Sequence, residues 1–191
     1  MEGMKTTMKT IKSTLLIVGA ALLLTMPVMA QGYRNNVVSN PQLAKKVRHE
    51  LVTLPYYGVF DNLAYNISGS TVTLYGDVVK PTTKSGAENR VKKLAGVSRV
   101  VNNIRVLPLS RMDDNIRAQT YRSLARTGAL YRYLQGANPS IHIVVDNGRV
   151  KLEGVVANKS DKALANVAAR SVSGAFGVTN NLVIEGENNV G

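Results

Sequence analysis

The stretch TVTLYGDV at Thr71–Val78 returns as RVKLEGVV at Arg149–Val156, and the rest of the chain organises itself around that pair. In both, apolar and polar residues alternate, with Val72, Leu74, Gly76 and Val78 recurring as Val150, Leu152, Gly154 and Val156. A period of two predicts a strand with one apolar face. Working outward, a constant offset of 78 residues carries Leu63 to Val106 onto Ile141 to Ile184 without a gap, and Lys84, Ala87, Gly96, Val100, Asn102 and Asn103 recur as Lys162, Ala165, Gly174, Val178, Asn180 and Asn181. Chance does not place ten identities in one ungapped register. Upstream, Val47-Arg48 resembles Ile116-Arg117 at an offset of 69, so the second copy carries about nine extra residues before its first strand.

Each copy reads in the same order. Leu43, Val47, Leu51 and Leu54 recur at helical spacing, with Lys45, Lys46 and Arg48 off or beside that stripe; this predicts an amphipathic helix. Leu63, Tyr65 and Ile67 alternate with polar or small residues, and after Gly69-Ser70 the alternation resumes, which predicts a hairpin;. Asn147-Gly148 fills the second turn with the pair that supplies positive φ angles;. Pro81 with Thr82 or Thr83 leads into Ala87, Val91, Leu94 and Ala95, while Ser160 leads into Leu164, Ala168 and Val172, and both helices are expected to stop at glycine, Gly96 or Gly174;. A last strand follows, from Val100 to Val106 and from Val178 to Ile184. The fold class is therefore α+β, two tandem αββαβ modules, each a three-stranded sheet with two helices on one face, at residues 41–107 and 112–186. Cores of that size are marginal, so the copies are expected to pack together.

The N-terminus has a different character. Lys5, Lys9 and Lys12 precede an apolar run from Leu15 to Leu24, followed by Pro27, Val28, Met29 and Ala30. That pattern predicts a secretory signal over residues 1–30, cut after Ala30, with 31–40 as a flexible segment. The run is short of the roughly 20 residues that span a bilayer. The net charge of +12 falls to +10 once Lys5, Lys9, Lys12 and Glu2 are removed with it. An exported basic protein meets phospholipid headgroups or other acidic envelope components rather than nucleic acid. With no cysteine, neither disulfides nor thiolate metal sites are available;.

Catalysis finds few materials. Two histidines and scattered carboxylates supply no nucleophile–base–orienter set, so no catalytic residue, metal or cofactor is nominated;. His142, between Ile141 and Ile143, falls on the other strand face and is expected to meet solvent, as is His49. A membrane surface has more to hold. Arg122 and Arg126 project opposite Ile116, Thr120 and Leu124, Arg117 flanks that stripe, and the inserted run from Gly128 to Leu134 interleaves Tyr131, Arg132 and Tyr133 with leucines. Tyrosine favours the bilayer interface and arginine the anionic headgroup. Arg117, Arg122, Arg126, Tyr131, Arg132 and Tyr133 are the expected lipid-binding set, although Leu130, Tyr131 and Leu134 can equally extend the helix over the sheet edge. Copy one has a weaker analogue in Lys45, Lys46, Arg48, Tyr56, Tyr57 and Phe60, of which Tyr56 or Phe60 also suits a core.

The repeated Gly-x-Val-x-Leu-x-Gly-x-Val and Gly-Val-x-x-Val-x-Asn-x-Ile patterns resemble the BON domain, and the whole chain is similar to osmotically inducible, periplasmic tandem-BON proteins. The resemblance rests on Val72, Leu74, Gly76, Val78, Gly96, Val100, Asn102 and Ile104, and on Gly148, Val150, Leu152, Gly154, Val156, Gly174, Val178, Asn180 and Leu182. Ser70 and Ala175 depart from it. It implies a periplasmic, non-enzymatic module that binds phospholipid or attaches assemblies to membranes, the alternative being a protein-interaction or stress-protective module with an envelope protein partner. Gly76, Gly96, Asn102, Gly154, Gly174 and Asn180 are expected to serve structure, the asparagines by bonding a neighbouring loop.

Overall fold

The protein is described by a computed structural model over residues 40–187. The expected signal at 1–30, the segment 31–39 and the last four residues lie outside the described residues.

Asn40 opens the fold, its side chain accepting a hydrogen bond from the Leu43 amide at 3.1 Å while Pro41 takes the first helical position;. Helix α1 (Pro41–Val52) turns Leu43, Val47 and Leu51 inward. Strands β1 (Asn62–Ser68) and β2 (Thr71–Val78) pair antiparallel, helix α2 (Pro81–Val91) crosses over, and β3 (Arg99–Asn102) and β4 (Arg105–Val106) both pair parallel with β2. Since β3 and β4 lie end to end on one neighbour, the sheet is three strands wide. Copy two repeats this with α3 (Arg111–Arg126), a 3-10 helix (Gly128–Tyr133), β5 (Ile141–Asp146), β6 (Arg149–Val156), α4 (Lys159–Arg170), β7 (Gly177–Asn180) and β8 (Val183–Ile184). Each copy has its own apolar core between its sheet and its two helices.

The recurring glycines and asparagines have a mechanical reason. A Cβ on Gly76 would stand 2.0 Å from the Asn62 carbonyl oxygen, and one on Gly154 2.0 Å from that of Ser140, at φ of +116° and +118°. Only glycine lets the two hairpin strands approach there. The last strand breaks at Asn102, whose amide nitrogen donates to the Lys84 carbonyl in α2 while its oxygen accepts from Ile104 N; Asn180 does the same with Lys162 and Leu182. The asparagine thus ties the strand to a helix rather than to a loop, and swings Ile104 or Leu182 into the core.

Several expectations shift. The cap of α4 is Asn158, which accepts from Asp161 N at 2.8 Å, rather than Ser160; both crossover helices end before Gly96 and Gly174, in successive tight turns. Leu164 is exposed, because Ala165, Ala168 and Ala169 form the inward face of α4 and let it lie close to the sheet, leaving Leu164 about a hundred degrees off that face;.

The copies do pack together. Ile143 N donates to Val59 O at 2.7 Å, so the loop of copy one before β1 adds a rung to the edge of β5. Val59 and Phe60 lie against the core of copy two, with Phe60 edge-on to Tyr121 at 6.4 Å. Phe60 is thus a core contact, but of the other copy; Tyr56 is exposed beneath the Lys80 ammonium. His142 does leave the helical face of its sheet, yet it meets copy one instead of solvent: Nε2 is 3.4 Å from the Tyr57 hydroxyl and Nδ1 3.3 Å from Gly58 O. Burial pushes the Tyr57 hydroxyl up to about 12 and His142 down;. Arg105 bridges Asp77 of copy one and Asp146 of copy two.

Candidate binding surface

Helix α3 is amphipathic with an arginine on each side of the divide. Its inward stripe is Asp113, Ile116, Arg117, Thr120 and Leu124. Arg111, Arg122 and Arg126 are spaced by eleven and four residues, close to three turns and one, so they share a face; all three are exposed. Arg117 does not join them. It is 3% exposed, bonded to Val145 O at 2.7 Å and to the Asp114 carboxylate, because its position lies about a hundred degrees or more from that outward stripe;. Arg117 therefore leaves the expected lipid-binding set.

The inserted segment splits in the same way. Leu130, Tyr133 and Leu134 are buried in the core of copy two, while Tyr131 and Arg132 are exposed. The Tyr133 hydroxyl donates to Asp161 Oδ2 at 2.6 Å and accepts from Arg132 at 2.7 Å and from Ala157 N at 3.0 Å. Arg132 also reaches Asp161 and stacks over the Tyr133 ring at 4.7 Å. The tyrosine hydroxyl, then the guanidinium, hold the Asp161 carboxyl below its usual range;. Tyr133 is thus a clasp between the insertion and α4, and it too leaves the expected set.

Sequence reasoning missed the second helix. Ser123 Oγ donates to Ala168 O at 2.7 Å and lies 3.2 Å from Ser171 Oγ, bringing α3 alongside α4. Leu164, Val167 and Ser171 follow at three and four residues, so the exposed Leu164 and Val167 lie on the side of α4 that meets α3;. Their signal was present as an apolar pair that the alanine face does not need. The result is a shallow face with arginines on one ridge and aliphatic side chains on the next. Among the described residues no helix is long and apolar enough to cross a membrane, and no three His, Asp or Glu side chains gather around a metal position.

A BON domain family profile matches residues 39–108 and again 112–186. Modules of this family are associated with the bacterial envelope, bind membranes and phospholipid, and are generally non-enzymatic. No curated protein is matched. Among solved structures, the chain is similar to the C-terminal domain of CdsD, a structural protein of the type III secretion system of Chlamydia trachomatis, at 14% identity and a TM-score of 0.28, over 77% of this chain and 99% of that one. A second CdsD structure gives the same identity and TM-score over 75% and 92%. That likeness is too distant to bear on role. The two profile matches take in most of the chain and coincide with its two αββαβ units, and the protein belongs to the BON domain family.

Proposed function

We propose that this is an exported envelope protein that binds anionic phospholipid surfaces peripherally and reversibly through Arg122, Arg126, Tyr131 and Arg132 of its second copy. The observation that carries the reading is the arginine ridge of α3, whose three arginines are exposed while the one arginine off that ridge is buried. Each such charge near an anionic leaflet contributes about 1 kcal/mol, and the aliphatic side chains of α4 beside it suit the headgroup boundary. Export would place the face in the periplasm, and the surplus of positive charge favours an acidic surface there.

Co-sedimentation with phosphatidylglycerol and phosphatidylcholine vesicles tests it. Binding is expected only to the anionic vesicles and to weaken with salt. Changing Arg122 and Arg126 together to Glu is expected to cost at least about tenfold in affinity while thermal unfolding stays unchanged. Equal binding to both vesicle types, or none, removes the reading. A second reading, docking of an envelope protein, is favoured by an open groove of about 310 Å³ between the copies, lined by Val59, Phe60, Tyr121, Leu134, Gly136 and Pro139. Enlarging Gly136 to Asn, a residue that tolerates positive φ, would then weaken capture of that protein and leave vesicle binding intact;.

A further inference from the structure

The corner of copy two where the hairpin turn meets the start of β7 is apolar for no reason internal to the fold. Phe176 is 70% exposed, and its ring lies across the turn so closely that a Cβ on Gly148 would meet it at 2.6 Å, with Met112 against the same glycine. Met112 is itself 45% exposed, and Leu109, three residues before it, is 96% exposed. Copy one supplies an internal control. The positions aligned with Gly148 and Phe176 are Ser70 and Ser98, whose hydroxyls bond to each other at 2.6 Å in solvent. The same backbone bond closes the corner in both, Ser98 N to Ser70 O and Phe176 N to Gly148 O, so the architecture is satisfied by two serines. The corner closes without a phenylalanine, and a large apolar side chain left 70% exposed in place of a serine marks a contact surface;.

The charge around it says what kind. Arg111 and Arg149 are exposed beside this corner and pair with no described carboxylate. The acids nearby are already engaged: Asp113 accepts from Asn147 N and Gly148 N, Asp114 holds Arg117, and Asp146 holds Arg105. Apolar tips flanked by two arginines that no described carboxylate pairs match an anionic bilayer, with ring and thioether entering the acyl boundary and guanidinium groups at the phosphates. Arg111 also begins the arginine ridge of α3, so the corner and the ridge adjoin at that residue. We infer that Phe176, with Met112 and Leu109, is a membrane-penetrating anchor at the head of that ridge; this rests on the lipid reading above and names the part of the contact that salt does not screen.

The chain contains no tryptophan, so Phe176→Trp installs a single reporter. On adding phosphatidylglycerol vesicles, its emission is expected to shift to the blue and to be quenched by bromine placed shallowly in the acyl chains. Phe176→Ser, which restores the residue of copy one, is expected to lower vesicle affinity about tenfold at every salt concentration without altering the salt slope. Circular dichroism and thermal unfolding check that both variants fold. If vesicles still sediment the protein while the introduced indole remains quenchable by aqueous acrylamide and Phe176→Ser binds like the parent, the anchor is wrong and the arginine ridge stands. If no vesicle binds, both readings fall. A blue shift that grows with protein concentration in the absence of lipid assigns the corner to self-association and overturns the anchor.

Discussion

At the start of the crossover helix, copy one places Thr83 and copy two places Asp161, aligned in the same register. Thr83 is buried and its hydroxyl finds no hydrogen-bond partner among the described residues. Asp161 is met by Asn158, Tyr133 and Arg132, the last two delivered by the inserted 3-10 helix. The hairpin turn differs likewise, since Asp113 clamps Asn147 and Gly148 in copy two where copy one aligns Ala44. One backbone plan therefore carries two degrees of elaboration: copy one keeps a plain module, and copy two adds polar clasps at its hairpin turn and at the start of its crossover helix.

The shared plan is where the largest effects are expected. Gly76→Ala and Gly154→Ala each drive a Cβ into a carbonyl at a φ that side chains avoid, and each is expected to lose about 3–5 kcal/mol in urea unfolding;. That is a large part of a typical domain's stability. If one copy tolerates alanine and the other does not, the equivalence of the two hairpins is broken.

The clasp comes next and should act on copy two alone. Tyr133→Phe removes a hydroxyl with three partners and is expected to cost about 1–3 kcal/mol;. Thr83→Val, the mirror experiment in copy one, deletes an unpartnered hydroxyl and is expected to be neutral or slightly stabilising;. The clasp also has an acid signature. Asp161 binds its proton less readily folded than unfolded, so its contribution is intact above the ordinary carboxylate value of 3.8 and is lost as pH falls through the lower folded value;. Tyr133→Phe is expected to shrink that loss in acid titrations of stability.

What could be read from the chain follows from what repeats. Val72, Leu74, Val78 and their counterparts announce strand and core because period and duplication agree, and Leu43, Val47 and Leu51 announce α1 because apolar spacing alone suffices. Arg117 and Tyr133 read as surface because they are polar or amphipathic, and only their partners, Val145 O and Asp161, make them interior residues. Those partners are 28 residues away, beyond any local pattern. His142 misled for a related reason: its strand face was read rightly, but a loop 84 residues upstream covers it. Exposed Phe176 had no periodic signature at all, because it stands in a turn.

The seam between the copies is testable through that histidine. Desolvation lowers the folded pKa of His142, so below 6.5 the unfolded chain holds more protons and stability falls with falling pH;. The groups facing it are the Tyr57 hydroxyl, the Gly58 carbonyl and Asp61 from copy one, and Glu153, its register partner on β6. Burial raises the carboxyls of Asp61 and Glu153, so each adds stability as pH falls through its own folded value and opposes the histidine there;. Chemical unfolding between pH 7 and 5 is expected to show a decline that His142→Gln abolishes. A decline that survives the substitution would move the acid sensitivity away from the seam.

A small effect is expected at the most visible bridge. Arg105 touches Asp77 and Asp146 and so links the two sheets, yet its side chain is half exposed and the pairs are open to salt;. Arg105→Met is expected to cost about 0.5–1 kcal/mol at low ionic strength and less at high. The strand-edge bond of Ile143 to Val59 and the Phe60–Tyr121 contact carry no net charge, so salt does not screen them;. If the copies are held by those contacts, Arg105→Met leaves a single cooperative unfolding transition. Two separated transitions in the variant would mean that the ion bridge, and not the docked loop of copy one, is what makes the modules fold as one.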